Sequence, residues 1–574
     1  MSGLKQKISA FIPALNWLPQ YKKSNLSGDL SAGLTVGVML VPQGMAYAML
    51  AGLPPIYGLY ASIVPLIIYA LFGTSRQLAV GPVAMVALLI ASGVGALTTD
   101  PALYIQYAIL LALLVGAIQL LMGLLRLGFL VNFLSHPVIA GFTSAAAIII
   151  GLSQLKHMLG LDIPRGKVHS TLTHVFQHAD EIHWLTAGIG VAAIMLIVGM
   201  RKLSRKIPAP LIIVILGVVL VSALGLVEEG VGIVGAVPSG LPKPGLPIID
   251  FASIQELLPI ALAISLIGFM ESIAVAKAIQ AKHKDYEVVP NQELIGLGLA
   301  NIAGAFFRAF PTTGGFSRTA VNDQAGAKTG LASIISAALV LITLLFLTEY
   351  FYYLPKAILA AIIMVAVFGL IDFKEARHLW KTDRRDFAMF MVTAMATLAL
   401  GVEEGIAVGV ILSLAMVIFR VSYPHAARLG RLRGTDLFRN VNRFENAQEI
   451  PGVLIVRIDA PLFFANLNHI NEKLKEFGSD SEQVKNIILD ASAIHSVDSS
   501  ATHALVELSE KHKAAGRQLS FANIRGPVRD VMEQAGLVAK IGADHFYTDV
   551  LEAVNHMTNG ANRIDEDVTL QSNI

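Results

Sequence analysis

Ala79-Val80-Gly81-Pro82-Val83-Ala84 and Pro311-Thr312-Thr313-Gly314-Gly315-Phe316-Ser317-Arg318-Thr319 interrupt two apolar stretches in comparable positions, one early and one late in the chain. Glycine and proline at these points predict an extended lead-in followed by a half-helix that starts inside a membrane. Backbone exposed at that depth is tolerated only where it lines a cavity or is buried in protein. A pair of short, interrupted spans in corresponding halves is the sequence pointer to a transporter's binding site. Each half-helix start offers unpaired N–H groups and roughly half a positive charge, so two facing one another would hold an anion. Ser317 would add a hydroxyl donor and Arg318 a full positive charge. The competing reading makes Gly314-Gly315 an ordinary loop and lets Arg318 snorkel to the interface.

Around these segments the chain reads as a membrane protein. Of its 574 residues 55% are hydrophobic and 15% charged, against roughly 25% charged in an ordinary soluble protein. Apolar stretches follow one another from about residue 30 to 420, near 30–50, 55–72, 80–96, 104–125, 133–155, 183–200, 208–226, 256–280, 290–307, 316–327, 329–348, 353–371, 386–402 and 404–420. A bilayer core of ~30 Å takes about 20 such residues per helix, and short spans are included in these fourteen.

Charge placement orients them, because cytoplasmic loops are rich in Lys and Arg. With the N-terminus inside, the inward loops receive Arg76, Arg126, the basic run 201–206, Lys277, Lys282, Lys284, Lys374, Arg377, Lys381, Arg384 and Arg385. The outward loops receive Asp100, Glu228, Glu229, Glu349, Glu403 and Glu404, with the mixed loop 156–181 as the main exception. Both termini are then cytoplasmic, in a multi-pass protein of the inner (plasma) membrane whose immediate partner is the lipid bilayer. Residues 1–28, with Lys5, Lys7, Lys22 and Lys23, lack a cleavable signal pattern and read as a retained tail with a short amphipathic helix near 8–17.

The net charge of +2 and the absence of a long basic block give no electrostatic case for nucleic acid. Cysteine is absent, which removes disulfides, thiolate nucleophiles and thiolate metal sites. His157, His169, His174, His178 and His183 match no usual ligand spacing and read as a solvated loop. No metal and no cofactor is expected, and no nucleophile, base and orienting group lie together at plausible depth for an enzyme.

Glu271 lies well inside the eighth span with no Lys or Arg within a turn. An intramembrane carboxylate is expensive, so it should face a cavity or be protonated. It is the candidate for the coupling proton, since an ionised carboxylate would repel an anionic substrate; the alternative is a hydrogen bond that only holds helices together. Gln43 and Tyr47, four apart on the first span, share a helix face and could supply a polar wall and an aromatic lid. Gln43 as inter-helix glue is the alternative.

After residue 420 the pattern becomes that of a soluble α/β domain: strands over 453–458, 486–490 and 518–522 alternate with helices over 466–477, 499–515 and 527–535. The expected organisation is a cytoplasmic tail over 1–28, a transport domain over 29–421, a linker over 422–450, the α/β domain over 451–558, and a polar disordered tail over 559–574.

Val41-Pro42-Gln43-Gly44-Met45-Ala46-Tyr47-Ala48, Gly52-Leu53-Pro54-Pro55-Ile56-Tyr57-Gly58-Leu59-Tyr60 and Gly315-Phe316-Ser317-Arg318-Thr319-Ala320-Val321-Asn322 resemble hallmark segments of the SulP (sulfate permease) family of anion transporters, and the likeness runs over nearly the whole chain. The resemblance implies an α-helical membrane protein of seven plus seven spans in inverted repeats, divided into core and gate domains as in uracil-permease-like transporters. It further implies a small inorganic anion held between spans 3 and 10, an elevator motion of core against gate, and a homodimer. Carried onto this chain, the anion site comprises Gln43, Tyr47, Val83, Ala84, Phe316, Ser317 and Arg318, with Glu271 at the acidic coupling position. The C-terminal domain resembles STAS domains at Asp490 and Val497-Asp498-Ser499-Ser500-Ala501. In anti-sigma-factor antagonists the related loop carries a phosphorylated serine, which makes Ser499 and Ser500 regulatory candidates and a cytoplasmic partner conceivable. Here Ala501 replaces the usual glycine, and the plainer reading has the serines cap a helix.

Sulfate, bicarbonate and small dicarboxylates all occur as substrates in this family, and backbone dipoles do not choose sharply among them. Phe269-Met270-Glu271-Ser272-Ile273 resembles the sulfate-transporting branch. Sodium-dependent bicarbonate transporters typically carry Asp at the acidic position and a hydroxyl one turn later, where this chain has Val275; the departure favours protons over sodium. Carrying a dianion into an inside-negative cell costs about 2.3 kcal/mol per charge per 100 mV, ~4.6 in all, so at least one cotransported cation is expected. The reading is therefore proton-coupled sulfate uptake, with a bicarbonate or dicarboxylate symporter or an anion channel as alternatives.

Overall fold

A computed structural model describes residues 9, 11–129, 135–163, 168–203, 209–283, 285–479 and 481–558. Lys5, Lys7, Lys284, the stretch 204–206 of the basic run and the C-terminal tail 559–574 lie outside the described residues. The chain divides into two compact units, Met1–Ser413 and Leu414–Ile574.

In the first unit a short helix α1 (Ala14–Trp17) precedes α2 (Lys23–Leu50), α3 (Pro55–Tyr60), α4 (Val64–Phe72), strand β1 (Val80–Gly81), α5 (Ala84–Leu97), α6 (Pro101–Leu124), α7 (His136–Ser153), α8 (Leu155–Leu159), α9 (Val168–Gln177), α10 (Trp184–Leu203) and α11 (Ala209–Leu224). The second half holds α12 (Phe251–Gln280), α13 (Pro290–Phe306), strand β2 (Thr313–Gly314), α14 (Phe316–Gln324), α15 (Leu331–Phe346), α16 (Lys356–Phe368), α17 (Phe373–Thr382) and α18 (Arg384–Ala399), and α19 (Val402–Ser422) runs from the first unit into the second. Every one of the fourteen expected apolar stretches contains a helix. Among the described residues seven helical segments are long and apolar enough to cross a membrane, and Ala84–Leu97, Trp184–Met200, Ala209–Leu224 and Leu331–Phe346 are shorter apolar helices.

Each half holds a two-residue strand followed by a helix, β1–α5 and β2–α14, and the two strands pair antiparallel, Val80 opposite Gly314 and Gly81 opposite Thr313. Close helix crossings depend on missing side chains. A Cβ on Gly116 of α6 would stand 2.6 Å from Ile302 N of α13, and one on Gly298 of α13 would stand 2.6 Å from Leu120 N of α6. At the α2–α3 crossing a Cβ on Gly58 would meet the carbonyl oxygen of Gly44 at 1.9 Å.

The basic segment expected as a loop after span 12 holds the helix α17. Asp372 caps it by accepting from Glu375 N at 2.9 Å. Its exposed Phe373 and Trp380, beside Lys374, Arg377 and Lys381, suit a helix lying in an interface plane.

The second unit carries a seven-stranded sheet: β3 (Ala426–Leu432), β4 (Phe438–Asn440), β5 (Ala447–Gln448), β6 (Val453–Ile458), β7 (Asn486–Asp490), β8 (Gln518–Ala522) and β9 (Phe546–Tyr547). Their order is β4-β3-β6-β7-β8-β9, with β5 on β3 and parallel pairing from β6 through β9. Helices α20 (Leu467–Glu476), α21 (Ser499–Ala514), α22 (Gly526–Gln534), α23 (Leu537–Ile541) and α24 (Val550–Met557) complete it. The stretch 422–450, expected as a linker, supplies β3, β4 and β5 to this sheet, with Leu429 pairing Ile455 on β6. Arginines and glycines dilute its apolar alternation, which is why it does not read as strand from sequence.

Candidate functional site

The two interrupted segments meet. Outside the strand pair, Gly315 N donates to Ala79 O (3.0 Å), Ala79 N to Thr319 Oγ1 (3.0 Å) and Asn322 Nδ2 to Gln77 O (2.8 Å). Helix α5 starts three residues after β1 and α14 two residues after β2, so one small sheet fixes both helix starts. Neither Ncap residue, Val83 or Gly315, makes a side-chain cap, and the first-turn N–H groups keep their capacity to bind an anion.

Arg318 is 2% exposed. Its Nη1 donates to Pro82 O at 2.6 Å, joining α14 to the lead-in of α5, while Nε and Nη2 are buried and make no hydrogen bond. The side chain folds back against its own helix start: a Cβ on Gly315 would stand 2.8 Å from Nη2. Gly81 has φ +154°, a conformation open to glycine. The snorkelling alternative for Arg318 is excluded by this burial.

Glu271 of α12 and Tyr47 of α2 lie within electrostatic range of the Arg318 guanidinium. Glu271 Oε2 is buried without a hydrogen-bond partner, and so is Gln43 Oε1. Gln43 is 2% exposed and Tyr47 5%. Val83 and Ala84 are buried, whereas Phe316 and Ser317 are exposed, which gives the start of α14 an open side.

Several polar residues that hold this arrangement stand outside the set singled out from sequence. Asn301 of α13 clamps Thr312 twice, accepting from its N–H (2.7 Å) and donating to its carbonyl (3.0 Å), and also reaches Gln119 Oε1 of α6 (3.1 Å). Gln77 donates to Ala327 O (3.1 Å) and accepts from Tyr286 Oη (2.6 Å). Burial pushes the Tyr286 hydroxyl up to about 12, so it stays a donor. Glu293, fully buried at the start of α13, accepts from Tyr69 Oη (2.6 Å), Thr74 N (2.6 Å), Thr74 Oγ1 (2.5 Å) and Ser75 N (3.2 Å), and fixes the turn that leads to β1. The available signal is a lone amide inside an apolar run, as at Gln119 and Asn301, whereas Glu293 follows Pro290-Asn291-Gln292 and carries no such signal.

In the second unit Ser499 and Ser500 are exposed at the start of α21. The cap is Asp498, whose Oδ1 accepts from Ala501 N at 2.7 Å, so the expected serine cap is corrected: the serines occupy the first helical positions with their side chains toward solvent. Among the described residues no group of three or more His, Asp or Glu side chains converges as a metal site.

A family model described as the sulfate permease family matches residues 26–393, and a STAS domain model matches residues 445–553. The chain is 42% identical over 568 residues to the chloroplastic sulfate transporter 4.1 of Arabidopsis thaliana, spanning 95% of this chain and 82% of that one. The mouse anion transporter Slc26a9, solved in an inward-facing state, superposes with a TM-score of 0.89 at 29% identity, covering 96% of this chain and 95% of the other. The transmembrane domain of a cyanobacterial bicarbonate transporter, BicA, gives 0.59 at 25% identity over 69% of this chain and 98% of its own length.

Proposed function

Because the chain belongs to the sulfate permease family, we propose that it is a secondary active transporter, not an enzyme, that carries sulfate into the cell together with protons. The observation that carries this reading is the antiparallel pairing of β1 with β2, which brings two uncapped helix starts and the unsatisfied Nε and Nη2 of Arg318 to one place. The anion is held there by Val83, Ala84, Phe316 and Ser317 at the helix starts, by Arg318, and by the wall of Gln43 and Tyr47. The name of the Arabidopsis relative supports sulfate; the bicarbonate transporter among the structural relatives keeps bicarbonate, and with it small dicarboxylates, as the second reading.

Glu271 takes up the coupling proton. The site holds orphan donors on Arg318 and an orphan acceptor on Glu271 Oε2; an anion satisfies the first kind and a proton the second. Ionised Glu271 competes with the anion for the guanidinium, whereas the protonated acid releases it, so proton and anion binding favour one another.

The carrier works as an elevator: the body built on β1–β2, with α2–α6 and α12–α15, moves against α7–α11 and α16–α19. It sits in the inner (plasma) membrane as a homodimer with both termini cytoplasmic. Ser499 and Ser500 are exposed beside a helix N-terminus, where a phosphate is favoured, and the STAS domain is a regulatory surface for a cytoplasmic partner. Intact-mass analysis of native protein without added phosphate would remove the phosphorylation part.

Uptake of labelled sulfate, bicarbonate and fumarate into proteoliposomes, each with and without imposed proton and sodium gradients, tests the whole. Sulfate uptake driven by an inward proton gradient, with counterflow of labelled anion, is expected. Sodium-driven bicarbonate uptake would select the second reading, and currents without counterflow would make the protein a channel.

A further inference from the structure

Ser272 follows Glu271 on α12 and is fully buried. Helix and lead-in approach closely here, since a Cβ on Gly268 would lie 3.2 Å from Thr313 Oγ1. Thr313 Oγ1 donates to Gly268 O at 2.5 Å and thereby uses its only proton. The 2.6 Å contact between the two hydroxyls therefore runs from Ser272 to Thr313. Ser272 Oγ in turn accepts from Gly314 N at 2.8 Å. The result is a one-way chain from Gly314 N–H through Ser272 and Thr313 to the Gly268 carbonyl, with each hydroxyl proton assigned.

This chain starts on β2, whose second residue Gly314 precedes the Ncap of α14, passes through Ser272, the residue next to Glu271, and ends on α12 at Gly268. Because β2 pairs with β1, a displacement of α12 is passed to the starts of both α5 and α14. We infer that Ser272 is a positioning residue that locks the helix bearing Glu271 to the paired lead-ins, so that the acidic position and the anion-facing helix starts move as one body. Its consequence for coupling rests on the proposed roles of Glu271 and α14; the lock itself does not. Alanine at 272 would leave Gly314 N–H buried without its acceptor, a cost that buried donors do not escape.

The test uses the purified full-length chain with Ser272→Ala, Ser272→Thr, Thr313→Val and the double variant Ser272→Ala/Thr313→Val. Sulfate binding at several pH values and amide hydrogen exchange of residues 312–316 are measured. Alanine is expected to raise the sulfate Kd about tenfold, flatten its pH dependence and speed exchange at Gly314 by about tenfold. Threonine, which keeps the hydroxyl, should stay within about twofold of the native chain. The double variant should be no weaker than the worse single one, because both act in one chain of bonds. A lower melting temperature with unchanged pH dependence would reduce Ser272 to a stabilising hydroxyl and overturn the coupling role, and native-like exchange at Gly314 in Ser272→Ala would overturn the lock. No saturable sulfate binding by the native chain would overturn the anion reading instead, with the exchange data still deciding the lock.

Discussion

Arg318→Gln removes the one guanidinium at the meeting point of α5 and α14. The charge-assisted bond from Nη1 to Pro82 O, at 2.6 Å in a buried setting, is worth about 1.5–3 kcal/mol. A unit charge ~4 Å from an anion contributes about 4 kcal/mol at an effective dielectric near 20, before desolvation is subtracted. With part of the Coulombic gain offset by desolvation, sulfate affinity should fall ~100-fold, or about 2.7 kcal/mol. Arg318→Lys keeps the charge without the planar fork, in which Nη1 holds Pro82 O while Nε and Nη2 are left for the proposed anion, so a loss of about tenfold is expected. Calorimetric titration of sulfate into the purified chain reads both, with hydrogen exchange over 79–84 reporting the released lead-in. A folded Arg318→Gln protein that binds sulfate within about twofold of the native chain would refute the reasoning.

Glu271→Gln should leave sulfate binding measurable while uptake into proteoliposomes no longer responds to an imposed proton gradient; an unchanged response would end the proton role. Gly58→Ala places a Cβ 1.9 Å from Gly44 O, and an overpacked helix crossing costs about 1–3 kcal/mol or more, so the purified chain should melt earlier; an unaltered melting temperature would contradict the packing described. Asp498→Ala removes the cap of α21 at a cost of about 1 kcal/mol, visible as faster hydrogen exchange over 499–503 and absent if the exposed serines can take over the cap.

Much of this architecture is legible in the sequence because its physics is local. Twenty-residue apolar runs announce spans, and glycine and proline announce where a span is broken, as at Gly81-Pro82 and Gly314-Gly315. The strands Val453–Ile458 and Asn486–Asp490 are built on the apolar runs 453–456 and 487–489 and read directly. What escapes is contact between distant positions. Nothing near Pro82 says that its carbonyl receives Arg318 from 236 residues away. Ser272 and Thr313 are ordinary small polar residues until α12 and β2 are laid together. Strand β3 is missed because five arginine, glycine and alanine positions mask a pattern that only pairing with β6 completes. Asp498, not the serines beside it, caps α21 because its backbone is extended while theirs is already helical.

Selenate, a tetrahedral dianion with an anomalous signal, locates the bound anion directly. In crystals of the full-length chain grown with selenate, an anomalous peak is expected within hydrogen-bond reach, about 3 Å, of backbone N–H groups at the start of α5 or α14 and of Ser317 Oγ. Selenate bound elsewhere in an actively transporting protein, with no peak between those helix starts, would contradict the proposed anion site.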